Sequence, residues 1–427
     1  MKRRGFLFGG AALSGAAALA AWRLWPATGS FYWPEQGLWN PCRAGLPLAL
    51  QRHELVRGAL QGLDLRQVWD SHVHLAGTGD SPSGIRINPR MNSMLNPAHY
   101  ARRLFFLNAG CAYDLEGGSV DRAYLRRMLN LIGGMRAGMK LLLFAFDRSY
   151  REDGKADLER TAVYVPDGYA REVAREHPAF FEWACSIHPY RRDCVEALVQ
   201  ARTDGARAVK WLPAAMGIDP ASPLCDRFYE AAARLGIPLI SHAGLERAVI
   251  GTDIQELGNP LRLRRALDAG VRVVVAHCAS MGQDRDLDKG ENGPYMDGFM
   301  LFTRLMESSK YEKTLFGDIS AMTQVNRAGP ALAKVIEREE WHPRLLNGSD
   351  YPLPGIMPIF SVNYLVSLGL VQESAGPVLQ EIRSYNPLLF DFALKRHLRS
   401  NGRALSKNVF ETRPFFEDAR RTQGPPR

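Results

Sequence analysis

Between residues 68 and 352 the chain alternates short apolar runs with longer stretches in which apolar positions recur at helical spacing. Apolar runs bounded by Gly, Pro or Asp read as buried strands, and the stretches between them as amphipathic helices. Eight runs are legible: VWDSHVHL (68–75), LLLFAFD (141–147), ACSIHPY (184–190), ARAVKWLP (206–213), PLISHAG (238–244), VRVVVAHC (271–278), TLFGDIS (314–320) and RLLNGSDYP (344–352). Helical patterning is clearest in DRAYLRRMLNLIGGMRAG from Asp121, GYAREVAREH from Gly168 and RFYEAAARLG from Arg227, the last stopped by Gly236 and Pro238. This alternation predicts an α/β fold with parallel strands. Eight units over roughly 285 residues match the size of a (β/α)8 TIM barrel.

The segment after the first run opens Gly-, Asn- and Pro-rich, and a loop insertion that long predicts a lid or binding loop. Beyond Pro352 the pattern is helical, and this C-terminal tail is expected on the outside of the barrel. The organisation read this way is a leader (1–30), an N-terminal extension (31–65), the barrel (66–400) and a tail (401–427). A doubly wound sheet is the competing architecture, but no Gly-rich phosphate fingerprint follows any run. The positions of the metal-type residues decide between the two.

In the first run, His72 and His74 are two residues apart, so on a strand both point to one face while Val73 and Leu75 point to the other. One such pair is weak evidence. The same kind of residue then recurs at the ends of other runs: Lys210 on the fourth, His242 on the fifth, His277 on the sixth and Asp350 on the eighth. Strand C-terminal ends form the active-site face of a TIM barrel, so these six side chains converge there. Neutral imidazoles and a carboxylate around an open position are what a catalytic divalent metal requires. His188, in SIHPY, and Asp318, in GDIS, face the same mouth and are candidate substrate contacts. Asp70, beneath the histidine pair, is a candidate supporting residue. Asp284 to Gly290 fails as a calcium loop, because Gly falls at position seven and Tyr295 stands where the closing Glu belongs.

The strings DSHVHL, ARAVKWLP, PLISHAG, VVVAHC and NGSDYPLP together resemble the amidohydrolase superfamily, in its amidohydrolase-related (amidohydrolase 2) branch, over roughly residues 65 to 400. The resemblance implies a metal-dependent enzyme in which His72, His74 and Asp350 bind metal with His242 as the next ligand. Two arrangements stay open, the first preferred. In the two-ion form Lys210 is carboxylated by CO2 and bridges both ions, with His277 as a further ligand. In the one-ion form His277 orients or deprotonates water and Lys210 remains a cation near substrate. The implied cofactor is zinc, with manganese or iron as alternatives. Asp350 then takes a proton from the attacking water and His277 assists at the scissile bond. The implied reaction is hydrolysis of an amide, lactone or ester in a small molecule. Non-oxidative decarboxylation by the same branch is the alternative, and an exported binding protein that merely keeps the fold is a third reading.

Composition excludes bulk disorder: 46% of residues are hydrophobic and 23% charged. The net charge of +9 does not mark a nucleic-acid binder, since Lys2, Arg3, Arg4 and Arg23 supply four of the nine and no long basic run follows. Those charges belong to MKRRGFLFGGAALSGAAALAAW, basic and then uncharged from Gly5 to Trp22, which is the layout of a signal peptide or anchor. Arg3-Arg4 followed by Gly-Phe-Leu resembles a twin-arginine signal. It implies the twin-arginine export machinery as a partner and a periplasmic protein, or one anchored by its N-terminus to the outer face of the cytoplasmic membrane. Six cysteines without a CxxC pair leave any disulfide unassigned, and most are expected as buried thiols. The sequence does not set the oligomeric state.

Overall fold

A computed structural model describes residues 35–112, 118–250 and 254–421. The leader read at 1–30 lies outside them. Among the described residues no helix is long and apolar enough to cross a membrane.

Eight strands follow the apolar runs: β1 (Trp69–His74), β2 (Lys140–Phe144), β3 (Phe181–Ala184), β4 (Val209–Trp211), β5 (Leu239–His242), β6 (Val273–Ala276), β7 (Leu315–Asp318) and β8 (Leu345–Leu346); β3 stands ahead of the expected 184–190 and shares only Ala184 with it. They form two parallel arcs, β1-β2-β3 and β8-β7-β6-β5-β4. The arcs are separate ladders, joined at both seams by single bridges, Cys185 to Val209 and Val73 to Tyr351. At the second seam Asp350 N–H donates to His72 carbonyl at 2.8 Å and His74 N–H to Tyr351 carbonyl at 2.9 Å. Strand order therefore follows chain order around a ring, as right-handed strand–helix–strand units require. Between the strands run helices α1 (Val120–Gly133), α2 (Asp167–Glu176), α3 (Cys194–Thr203), α4 (Asp226–Leu235), α5 (Arg264–Asp268), α6 (Gly298–Met306) and α7 (Pro330–Glu337). Ser119 caps α1 by accepting from Arg122 N–H, and Gly236, at φ 61°, ends α4 in the left-handed conformation.

The period-two alternation divides the core. Leu141 and Leu143 pack outward against the helices, whereas Leu142 and Phe144 join Trp69, Ala184, Ala208, Ile240, Val274 and Leu346 inside the ring. That inner layer ends on Phe416, fully buried and stacked on Trp69 at 5.9 Å. The expectation that the tail lies outside is thus met by α8 (Gly376–Tyr385) and α9 (Pro387–His397) but not by α10 (Arg413–Arg421). α10 caps the N-terminal end of the barrel, because the apolar side chains there need cover. The other end is left for polar chemistry.

The insertion after β1 is structured. It carries a short strand, Arg86–Ile87, paired antiparallel with Val163–Tyr164, and a helix, Pro97–Ala109. Asp121 of α1 fixes its start, accepting from Thr78 N–H at 2.6 Å and Ser81 hydroxyl at 2.9 Å. A Cys42–Cys111 disulfide ties the N-terminal extension to its far end. The other four cysteines are buried thiols.

Candidate metal centre

His72, His74, Lys210, His242, His277 and Asp350 all border one cavity of about 260 Å³ at the C-terminal ends of the strands. Within it, a ligand atom from each of His72, His277 and Asp350 lies within 4.8 Å of the others. Asp350 is the hub: its Oδ1 is 2.8 Å from His74 Nε2 and 3.4 Å from His72 Nε2, and its Oδ2 is 3.7 Å from His277 Nε2. Lys210 Nζ is 3.2 Å from His72 Nε2. The His242 ring stands edge-on to that of His277 at 5.2 Å.

The backbone is bent to aim these groups. Asp350 and His277 have φ of 59° and 56°, a region that costs a non-glycine residue about 1–3 kcal/mol. The bond from Asp350 N–H to His72 carbonyl and one from His277 N–H to Asp318 Oδ1, at 2.9 Å, hold these turns. Gly348 lets β8 approach: a Cβ there would sit 2.5 Å from His72 Cβ.

Burial sets the protonation. Desolvation lowers the imidazole of His72 to about 4 and that of His277 to about 3, and carries His242 well below its ordinary value. All three are neutral at neutral pH, the form that donates a lone pair to a cation. Burial alone would raise the Asp350 carboxyl, but His72, His277 and His74 around it hold it well below the usual range. Desolvation also lowers Lys210 to about 8, against the pull of Asp318, Asp350 and Glu246.

The two residues read as substrate contacts do not border the cavity. Asp318 lies behind the histidines, accepting from His72 Nδ1 at 2.9 Å. Ser320 sits beside it, its hydroxyl 3.1 Å from His72 Nδ1 and 2.8 Å from His277 Nδ1. His188 is fully buried, and its Nε2 faces the Met216 carbonyl at 3.1 Å. Asp70 accepts from Ser349 N–H at 2.8 Å and so joins β1 to the loop that carries Asp350.

Sequence reasoning missed the charged groups of the cavity wall that stand nearest the histidines, among them Glu246 and Arg327. Glu246 Oε2 is 3.4 Å from His242 Nε2. Arg327 is 8% exposed, yet among the described residues its guanidinium hydrogen-bonds only Ser280 Oγ, at 3.4 Å, and its Nε has no partner. Both stand in loops, four residues past His242 and seven past Ser320, where strand alternation gives no signal.

The donor set fits a divalent cation. Buried neutral nitrogens and a carboxylate point at one another, and His242 Nε2 has no hydrogen-bond partner among the described residues.

A family model described as amidohydrolase matches residues 121–355, a stretch that begins after His72 and His74. No curated protein matches the chain in sequence. Solved structures that resemble it include an uncharacterized TIM-barrel protein from Bordetella bronchiseptica, 14% identical, with a TM-score of 0.44 over 74% of this chain and 98% of that one. A probable 2-pyrone-4,6-dicarboxylic acid hydrolase from Acinetobacter baumannii is 12% identical, with a TM-score of 0.39 over 77% and 99%. The 5-carboxyvanillate decarboxylase of Sphingomonas paucimobilis is 11% identical, with a TM-score of 0.38 over 74% and 98%. On the extent of the family match, and with an α/β barrel to carry it, the chain belongs to the amidohydrolase family.

Proposed function

We propose that this protein is a metal-dependent hydrolase that cleaves an amide, lactone or ester bond of a small molecule. The observation that carries the reading is the meeting of His72, His74, His242, His277 and Asp350 with Lys210 in one cavity. His72, His74 and Asp350 would hold the cation, with His242 and His277 as further donors. A bound divalent cation lowers the pKa of water towards 7 and polarises a carbonyl. The chain's own groups do the rest. Asp350, ionised across the neutral range, accepts the proton of the attacking water and passes it to the leaving atom. Arg327, with guanidinium donors to spare, holds the oxygen on which charge develops. Asp318 and Ser320 keep the His72 and His277 rings turned towards the centre.

We read the chain as exported through the twin-arginine route. The leader motif supports this, as does the Cys42–Cys111 disulfide, since such bonds persist in oxidising compartments.

The test is metal content by mass spectrometry on protein recovered from the periplasmic fraction, alongside Lys210→Ala and Asp350→Asn. About one equivalent of metal retained in the lysine variant is expected for a single-ion hydrolase. About two equivalents that fall in that variant assign the carboxylated-lysine form. Asp350→Asn is expected to lose turnover of ester and amide substrates. Full activity in that variant, or wild-type protein that takes up no metal, overturns the mechanism, and release of CO2 from a carboxylic acid in place of hydrolysis gives the decarboxylase reading.

A further inference from the structure

The cavity is larger than the chemistry needs, and its outer part is made of hydrocarbon. Leu38, Met91, Phe105, Phe146, Val163 and Leu353 are among its walls. Where these residues come from matters more than their number. Met91, Ala162 and Ile250 form a buried apolar cluster apart from the barrel core, with Ile87 packed on it and Val163 and Val249 touching both. They are supplied by the connections after β1, β2 and β5, parts of the chain that the barrel does not need to be apolar. Leu38 arrives from another direction, on the N-terminal extension. Its neighbour Trp39 stacks on Phe105 at 5.0 Å, and the Cys42–Cys111 disulfide secures the same segment.

Separate segments of the chain thus bring apolar side chains to a space they do not fill. Apolar walls that face water are stabilised when an apolar occupant covers them. The cavity is continuous with the metal centre, which makes the occupant part of the substrate. Arg102, Arg103 and Arg247 also border it, and the aliphatic stems of such side chains extend an apolar wall.

We infer that the substrate bears an extended hydrocarbon portion, a medium-length acyl or alkyl chain, next to its scissile group, and is not a small polyanion. This rests on the hydrolase reading, and two measurements separate the fates of the two. The first is calorimetric titration of the intact protein with straight-chain carboxylates from acetate to decanoate, with citrate as the small polyanion. Affinity is expected to rise about fourfold per added methylene until the cavity is full, with a negative heat-capacity change. The second is hydrolysis of the 4-nitrophenyl esters of the same acids, in wild type and in Val163→Asp and Met91→Gln. The preference for long over short chains is expected in wild type and reduced in both variants. Carboxylate binding that is flat with length, or citrate bound more tightly than decanoate, overturns the inference even where metal-dependent hydrolysis is found. A steep chain-length series in binding without turnover of any ester or amide upholds the inference and removes the hydrolase reading.

Discussion

At the scale of single residues the site stores instability for use. Arg327 is a buried guanidinium with one long hydrogen bond among the described residues, and desolvation lowers its pKa while Asp350, Glu246 and Asp318 pull it back. A buried charge without full compensation costs several kcal/mol, and a hydrophobic group of similar volume is often the more stable occupant. Arg327→Met is therefore expected to raise resistance to urea while lowering kcat/KM by about 10²-fold, the usual effect of losing a donor aimed at developing charge. Loss of both stability and activity would show that Arg327 is a structural group. The histidines, Lys210 and Asp350 were legible in the sequence because strand alternation and a following Gly, Pro, Ser or Cys mark where each must point. Arg327, Glu246 and Ser320 were not. Their directions come from loops whose path is set by the rest of the molecule, and arginine or glutamate in a loop is ordinarily a solvated residue.

At the scale of elements, the eight strands were legible but their lengths were not. The run 344–352 pairs as a ladder only at Leu345–Leu346, and the rest of it turns to present Asp350. Regular pairing stops where function begins. The acidic stretch after β6 is a second case. Asp284 sits in a hairpin of Gln283–Arg285 with Tyr295–Asp297, and its Oδ2 is buried without a hydrogen bond among the described residues. Asp286 and Asp288, by contrast, pair with Arg304. Burial pushes the Asp284 carboxyl up to about 6, with Arg262 opposing and Asp297 and Glu256 adding to the rise. Its folded pKa lies above its ordinary 3.8, so the native state binds the extra proton between these values. The stability this gives is complete at low pH and is lost as pH rises towards 6. Asp284→Asn is expected to melt with wild type near pH 4 and at a higher temperature near pH 8. Equal melting temperatures at both values would show that the carboxylate is solvated.

At the scale of the whole molecule, the two chain ends do different work. The N-terminal extension, clamped by Cys42–Cys111, walls the cavity; the C-terminal helix α10 closes the opposite end with Phe416. Neither was legible. Six scattered cysteines allow too many pairings, and RPFFEDARR reads as one more amphipathic surface helix until the hollow end of the barrel is in view. The plug follows from geometry. A ring of eight strands leaves its inner apolar layer open at both ends, and Trp69, at the start of β1, cannot face water at the lower one. Removing the ring of Phe416 leaves a void against Trp69 that the strands cannot collapse to fill, since their backbones are hydrogen-bonded. Phe416→Ala is therefore expected to cost about 3–5 kcal/mol in urea unfolding, the range for a buried phenylalanine truncated in a rigid setting. Because the lost contacts lie at the start of β1 and the donors His72 and His74 at its end, metal content and kcat/KM are expected to stay at wild-type values. Metal loss in this variant would mean that the bottom layer helps to hold the ring in register, and that stability and chemistry in this barrel are not separable along the strand.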